Sequence, residues 1–143
     1  MSTRVATAQW QGSLVGGSGT IALTSSGQAS FEYSLATRAA DAATTTSPEE
    51  LLAAAYGSCY AMQLSALLDP GPDETPALHV EVVVTQGGPE IDFGIADIAL
   101  TVRGHGIARS NEQFVELANT ASSVCPIGRA LSVKVSVDAA LNN

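Results

Sequence analysis

Ser47-Pro48-Glu49-Glu50-Leu51-Leu52-Ala53-Ala54-Ala55-Tyr56-Gly57-Ser58-Cys59-Tyr60-Ala61-Met62 is the stretch on which the reading of the fold turns. Ser47 is a good N-cap, Pro48 suits the first helical position, and Glu50 stands three residues past the cap, the capping-box spacing. Glu49 and Glu50 also suit the positive end of a helix dipole. The apolar run continues through Leu64, Leu67 and Leu68 and stops at Asp69-Pro70-Gly71-Pro72. The pattern predicts one helix from Pro48 to about Leu68. Its apolar side chains fall on nearly every side, so it should be enclosed by a sheet and by another subunit.

Working outward, the segments on either side read as strands. Val5–Trp10, Thr20–Leu23 and Phe31–Leu35 are separated by Gly16-Gly17-Ser18-Gly19 and Ser25-Ser26-Gly27, the pattern of a three-stranded meander. A loop of small residues, Ala39 to Thr46, leads into the helix. Beyond it, Ala77–Gln86 places Val80, Val82 and Val84 on one face and His79, Glu81 and Val83 on the other. After Gly87-Gly88-Pro89 a second strand is expected over Ile91–Arg103, with Gly94 as a bulge. Ser110-Asn111-Glu112 opens a helix whose Phe114, Leu117, Ala118 and Ala121 share a face. Cys125 to Leu131 reads as a turn or a single helical turn, and Ser132–Ala139 as a closing strand. Strands, helix, strands, helix, strand is an α+β order, and residues 1–143 are expected to form one domain of antiparallel sheets around the long central helix.

Bulk properties narrow the function. Only 14% of the 143 residues are charged and 45% are hydrophobic, which points to extensive burial. Fourteen acids against six bases give a net charge of −8 with no basic cluster, so nucleic acid and anionic membrane surfaces are poor partners. The N-terminus has no apolar signal segment, and the longest apolar run is interrupted by Ser58, Gln63 and Ser65. A cytoplasmic protein is expected. There, two cysteines are more often catalytic, redox-active or simply buried than permanently bridged.

Cys59 lies within the long helix, and Cys125 opens a Cys-Pro step after the second helix. Folding would have to bring them together. An apolar wall raises a thiol's pKa, so a reactive Cys59 needs a cation from another segment. Of the six bases, Arg38 is the best placed, at the end of a strand on the way into the helix, and Arg129 is next. A half-buried arginine needs an anion, for which Glu49 is the nearest candidate. Glu49 and Cys59 are about 15 Å apart along the helix axis, so Glu49 would act only by holding an arginine. Cys125 before a helix start should meet free backbone N–H groups that favour its thiolate. Tyr56, Tyr60 and Met62 are either core or the walls of an approach to Cys59. His79 and His105 form no ligand cluster with the cysteines, so neither a metal site nor a cofactor is expected.

Thr46 to Met62, together with Val124-Cys125-Pro126-Ile127, resembles the two cysteine blocks of the OsmC/Ohr family of thiol-dependent peroxidases. Trp10-Gln11-Gly12 and Thr37-Arg38 extend the resemblance over the whole chain. The position of Arg38, with no arginine in the Gly-rich hairpin, is similar to the OsmC branch. The resemblance implies an intertwined homodimer with central helices packed between sheets. It further implies Cys59 as peroxidatic thiolate, Cys125 as resolving thiol, Arg38 as activating cation and Glu49 as its orienting carboxylate. The implied substrate is a hydroperoxide and the reductant a dithiol such as a lipoyl protein; the apolar surroundings of Cys59 favour organic hydroperoxides, with hydrogen peroxide reduced less well. A non-catalytic redox sensor, or a structural dimer with inert thiols, is the alternative on the same fold.

Overall fold

The computed structural model describes residues 1–142 and contains six strands and four helices among them. The chain forms two compact units, Met1–Leu51 and the remainder from Leu52, with the division inside the first turn of the long helix.

In the first unit, β1 (Thr7–Gln11), β2 (Ser18–Ala22) and β3 (Ser30–Tyr33) form an antiparallel meander with Gln9 opposite Thr20 and Ile21 opposite Phe31. These are the three expected strands, each shifted by a few residues. Trp10 and Tyr33 meet across the sheet at 5.6 Å between ring centroids. A short helix not foreseen from the sequence, α1 (Leu35–Arg38), follows β3. The Ser34 hydroxyl accepts from the Thr37 N–H, and the Thr37 side chain accepts from the Ser34 N–H, so one four-residue turn carries a complete capping box. No residue of this unit is buried.

The long helix α2 spans Pro48–Leu68 as expected. The Glu50 N–H donates to the Ser47 hydroxyl at 3.2 Å, which fixes the start. Asp69, in the left-handed region at φ 44°, marks the end. Tyr56, Tyr60, Leu64 and Leu68, four residues apart, make a buried stripe down one side. The sequence predicted enclosure on most sides. In the single chain, however, Ala54, Ala55, Ser58, Met62, Ser65 and Ala66 are exposed. By length and composition α2 would also qualify as a membrane span, contrary to the sequence reading, although its tyrosine-leucine stripe lies in a protein core.

The core belongs to the second unit. Here β4 (Ala77–Gln86) pairs antiparallel with β5 (Ile95–His105), and β5 pairs parallel with β6 (Lys134–Leu141). The sheet is therefore mixed rather than purely antiparallel. The reason is the connection: α3 (Asn111–Val124) and α4 (Pro126–Arg129) carry the chain back across the sheet, as a parallel pair requires. Along β4, Leu78, Val80, Val82 and Val84 are less exposed than His79, Glu81 and Val83, the predicted alternation. β5 begins four residues later than expected, because Pro89–Ile91 forms a 3₁₀ turn, and the irregularity falls at Thr85/Gln86 instead of Gly94. The α2 stripe packs with Ile98, Leu100 and Val102 of β5 and with Phe114, Ala118 and Ala121 of α3. Gly104 allows this approach, since a Cβ there would stand 2.9 Å from the Phe114 ring.

Candidate functional site

Two separate constellations contain the residues singled out by sequence. The first is the thiol pair, within the second unit. Cys59 is partly exposed on α2, and Cys125 is fully buried at the joint where α3 ends and α4 begins. Pro126 forces this joint: it disfavours a helical Cys125, whose φ −59° and ψ 123° break the helix, and restarts it from the next residue. The break turns the Cys125 side chain out of α3 and toward α2. Its S–H donates to the Cys59 sulfur at 3.2 Å, about 1.2 Å beyond a disulfide bond length. Both cysteines are free thiols.

The electrostatics of Cys125 differ from the expectation. Burial pushes its thiol up, the N–H groups of Gly128 and Ile127 oppose that, and the neighbouring Cys59 adds to the rise. The predicted backbone donors are present at the helix start, but they are outweighed, because a thiolate with no exposed surface loses its hydration. Cys125 is thus held as an S–H donor.

The second constellation is an ion pair in the first unit. Arg38, in the last turn of α1, donates from Nε to both Glu49 carboxylate oxygens at 3.1 and 3.2 Å, and from Nη2 to Oε1 at 2.5 Å. Burial pushes the Glu49 carboxyl up, but hydrogen bonds from Arg38 and from its own backbone N–H, the Arg38 charge and the Ser47 hydroxyl together hold it below its ordinary value. The capping box of α1 sets where Arg38 leaves the helix, and the N-cap of α2 sets where Glu49 begins it. Beside the pair is a recess of about 320 Å³ lined by Trp10, Leu14, Tyr33, Leu35, Arg38 and Pro48. The sequence did not single out Trp10, Leu14 or Tyr33 as neighbours of Arg38, since only strand pairing and the turn after β1 assemble them.

Tyr56 and Tyr60 are fully buried core residues rather than walls of an open approach, and Met62 is 68% exposed on the other side of α2. The Tyr60 hydroxyl donates to the Ala118 carbonyl at 2.8 Å, tying α2 to α3. The Tyr56 hydroxyl meets the Ser122 hydroxyl at 3.3 Å. Arg129 is exposed in α4. Ser122 and Gly128, one turn on either side of Cys125, carried no sequence signal at all. Among the described residues, no three His, Cys, Asp or Glu side chains cluster so as to hold a metal ion.

A dithiol at contact distance can be oxidised by two electrons to a disulfide with little movement. Known proteins are similar to this chain in sequence and in fold. The family model described as OsmC-like protein matches residues 40–139. Peroxiredoxin OsmC of Escherichia coli (strain K12) is 29% identical over 133 residues, covering 92% of this chain and 91% of that protein. The crystal structure of the organic hydroperoxide resistance protein OhrB of Bacillus subtilis is 25% identical, with a TM-score of 0.63 over 94% of this chain and 97% of that one. An organic hydroperoxide resistance protein OsmC from Legionella pneumophila shares the fold at 19% identity, with a TM-score of 0.66 over 98% of both chains.

Proposed function

This chain belongs to the OsmC-like family, and from that membership we propose a thiol-dependent peroxidase in which Cys59 reduces hydroperoxides and Cys125 resolves the product. The observation that carries the reading is the buried S–H of Cys125 donated to the partly exposed Cys59 sulfur at 3.2 Å. The Cys59 thiolate attacks the distal oxygen of ROOH, the O–O bond breaks, and ROH leaves once the alkoxide is protonated. Cys59 is then a sulfenic acid. The Cys125 sulfur attacks it, and the Cys125 proton leaves with the displaced hydroxide as water, forming the Cys59–Cys125 disulfide. An external dithiol, such as the lipoyl group of a protein, returns both thiols.

Arg38 is the cation of this scheme and Glu49 its orienting carboxylate. Support comes from their multidentate ion pair, which keeps the guanidinium in one geometry, as a point-charge contact would not. Organic hydroperoxides are favoured over hydrogen peroxide, because an alkyl tail gains about 0.8 kcal/mol per buried CH₂ against the apolar residues of the Cys59 helix. The working form is a homodimer in which residues 1–143 act as one OsmC-like domain. A three-stranded sheet without a single buried residue cannot stand alone, and the exposed Ala54-Ala55-Ser58-Met62 side of α2 is a surface for a second copy. A reducing compartment such as the cytoplasm suits a pair that must return to free thiols.

The test is steady-state consumption of cumene hydroperoxide with dithiothreitol. An enzyme cycles, whereas a redox sensor oxidises once and stalls. The intact mass after stoichiometric peroxide should fall by two hydrogens; an unchanged mass would falsify the resolving pair.

A further inference from the structure

Tyr56 is a core residue whose hydroxyl also makes a polar contact beside the thiol pair. It lies one helical turn before Cys59 on α2, and its hydroxyl reaches the segment that carries Cys125. On one side the hydroxyl meets Ser122 Oγ at 3.3 Å, in the last turn of α3. On the other side it rests against the bare Cα of Gly128 in α4, where a Cβ would stand 2.6 Å from the phenol oxygen and 2.9 Å from Cζ. The two contacts bracket Cys125. Gly128 also supplies one of the two backbone N–H groups directed at the Cys125 sulfur. The missing side chain at position 128 makes room for the hydroxyl together with the end of the ring that carries it.

We propose that Tyr56 is a positioning residue for the resolving step: its phenol, bonded to Ser122 and seated on Gly128, aims the Cys125 sulfur at Cys59. It thereby sets how fast a Cys59 sulfenic acid closes to the disulfide before a second peroxide oxidises it to sulfinic acid. The geometry fits this role because the rigid ring is fixed to the same helix as Cys59, so any displacement of the α3–α4 joint changes the sulfur–sulfur distance directly. Burial above all pushes the Tyr56 hydroxyl up; Ser122 opposes this, and charge on Cys125 or Cys59 adds to it, so the phenol stays neutral beside the sulfurs. This inference rests on the peroxidase reading. Closure consumes the sulfenic acid and the Cys125 thiol and releases one water; sulfinic acid formation instead consumes a second hydroperoxide and releases one alcohol.

The experiment is rapid mixing of full-length Tyr56→Phe and Ser122→Ala with cumene hydroperoxide, quenching by alkylation and mass spectrometry of the Cys59 and Cys125 peptides. In each variant the disulfide-forming step should slow several-fold more than sulfenic acid formation, and the sulfinic fraction at high peroxide should rise several-fold. The double variant should be no worse than either single one. Loss of thermal stability with an unchanged partition between disulfide and sulfinic acid would mean a purely structural tyrosine and overturn the proposal. Should Tyr56→Phe not fold, Ser122→Ala alone carries the same two outcomes. A parent chain whose Cys59 takes no oxygen from peroxide overturns the peroxidase reading and this inference together, whereas normal sulfenic acid formation with unchanged partition overturns the inference alone.

Discussion

Cys59 and Cys125 touch, yet their surroundings are unequal, and the inequality assigns the order of events. Cys125 is 0% exposed with its thiol pushed up by burial, while Cys59 keeps part of its surface. Limited iodoacetamide treatment of the reduced protein followed by peptide mapping should therefore label Cys59 first. Cys59→Ser should abolish peroxide consumption. Cys125→Ser should leave the first oxidation to sulfenic acid intact, and a second hydroperoxide should then carry Cys59 to sulfinic acid, seen as a gain of two oxygens in the intact mass. At the second constellation, Arg38→Ala should slow Cys59 oxidation by at least tenfold in stopped-flow measurements if the guanidinium stabilises the attacking thiolate. Glu49→Gln gives a pH signature. Its folded carboxyl titrates below the unfolded one, so its contribution to stability is present above the ordinary carboxylate range and disappears as pH falls through the lowered value. Thermal melts across the acid range should show a shallower loss in Glu49→Gln than in the parent.

At the scale of elements, what matters is where helices start and stop. Ser110 accepts from the Gln113 N–H at 3.2 Å while Gln113 reaches back to the Ser110 N–H at 3.0 Å, so Ser110→Ala removes one half of a capping box. The expected cost is about 1 kcal/mol by urea denaturation. Because α3 presents both Ser122 and Cys125, a frayed start should leave peroxide turnover nearly intact, as the Phe114, Ala118 and Ala121 face still holds the helix. The start of α2 was legible residue by residue, since N-cap, proline and glutamate are local signals. By contrast, α1 was invisible: a four-residue helix has no periodicity to read, and its capping box depends on Thr37, which by sequence belongs equally to a strand end. The late start of β5 was missed for a related reason. Pro89 and Glu90 tighten the chain into a 3₁₀ turn, with Gly88 donating to the Glu90 carboxylate at 2.9 Å, a side-chain bond that hydrophobic alternation does not register.

At the scale of the whole molecule, the prediction concerns assembly. Light scattering on a sizing column should give about twice the 14.6 kDa of the chain. Met62→Glu, placing a charge in the exposed apolar side of α2, should shift that mass toward the monomer and lower thermal stability. A parent protein that elutes as a monomer would remove the homodimer.

The amino-acid order alone determined the helix-bearing cysteine block, the Cys-Pro step, the strand alternation and the α+β class, because each depends on neighbours within a turn or two of the chain. Only tertiary structure decided that β6 runs parallel to β5, that Cys125 reaches Cys59, that burial outweighs the backbone donors at Cys125, and that Tyr56 rests on Gly128 rather than lining a pocket. These depend on residues far apart in sequence whose contacts exist only after packing, where distance and lost hydration, not residue type, set the energies.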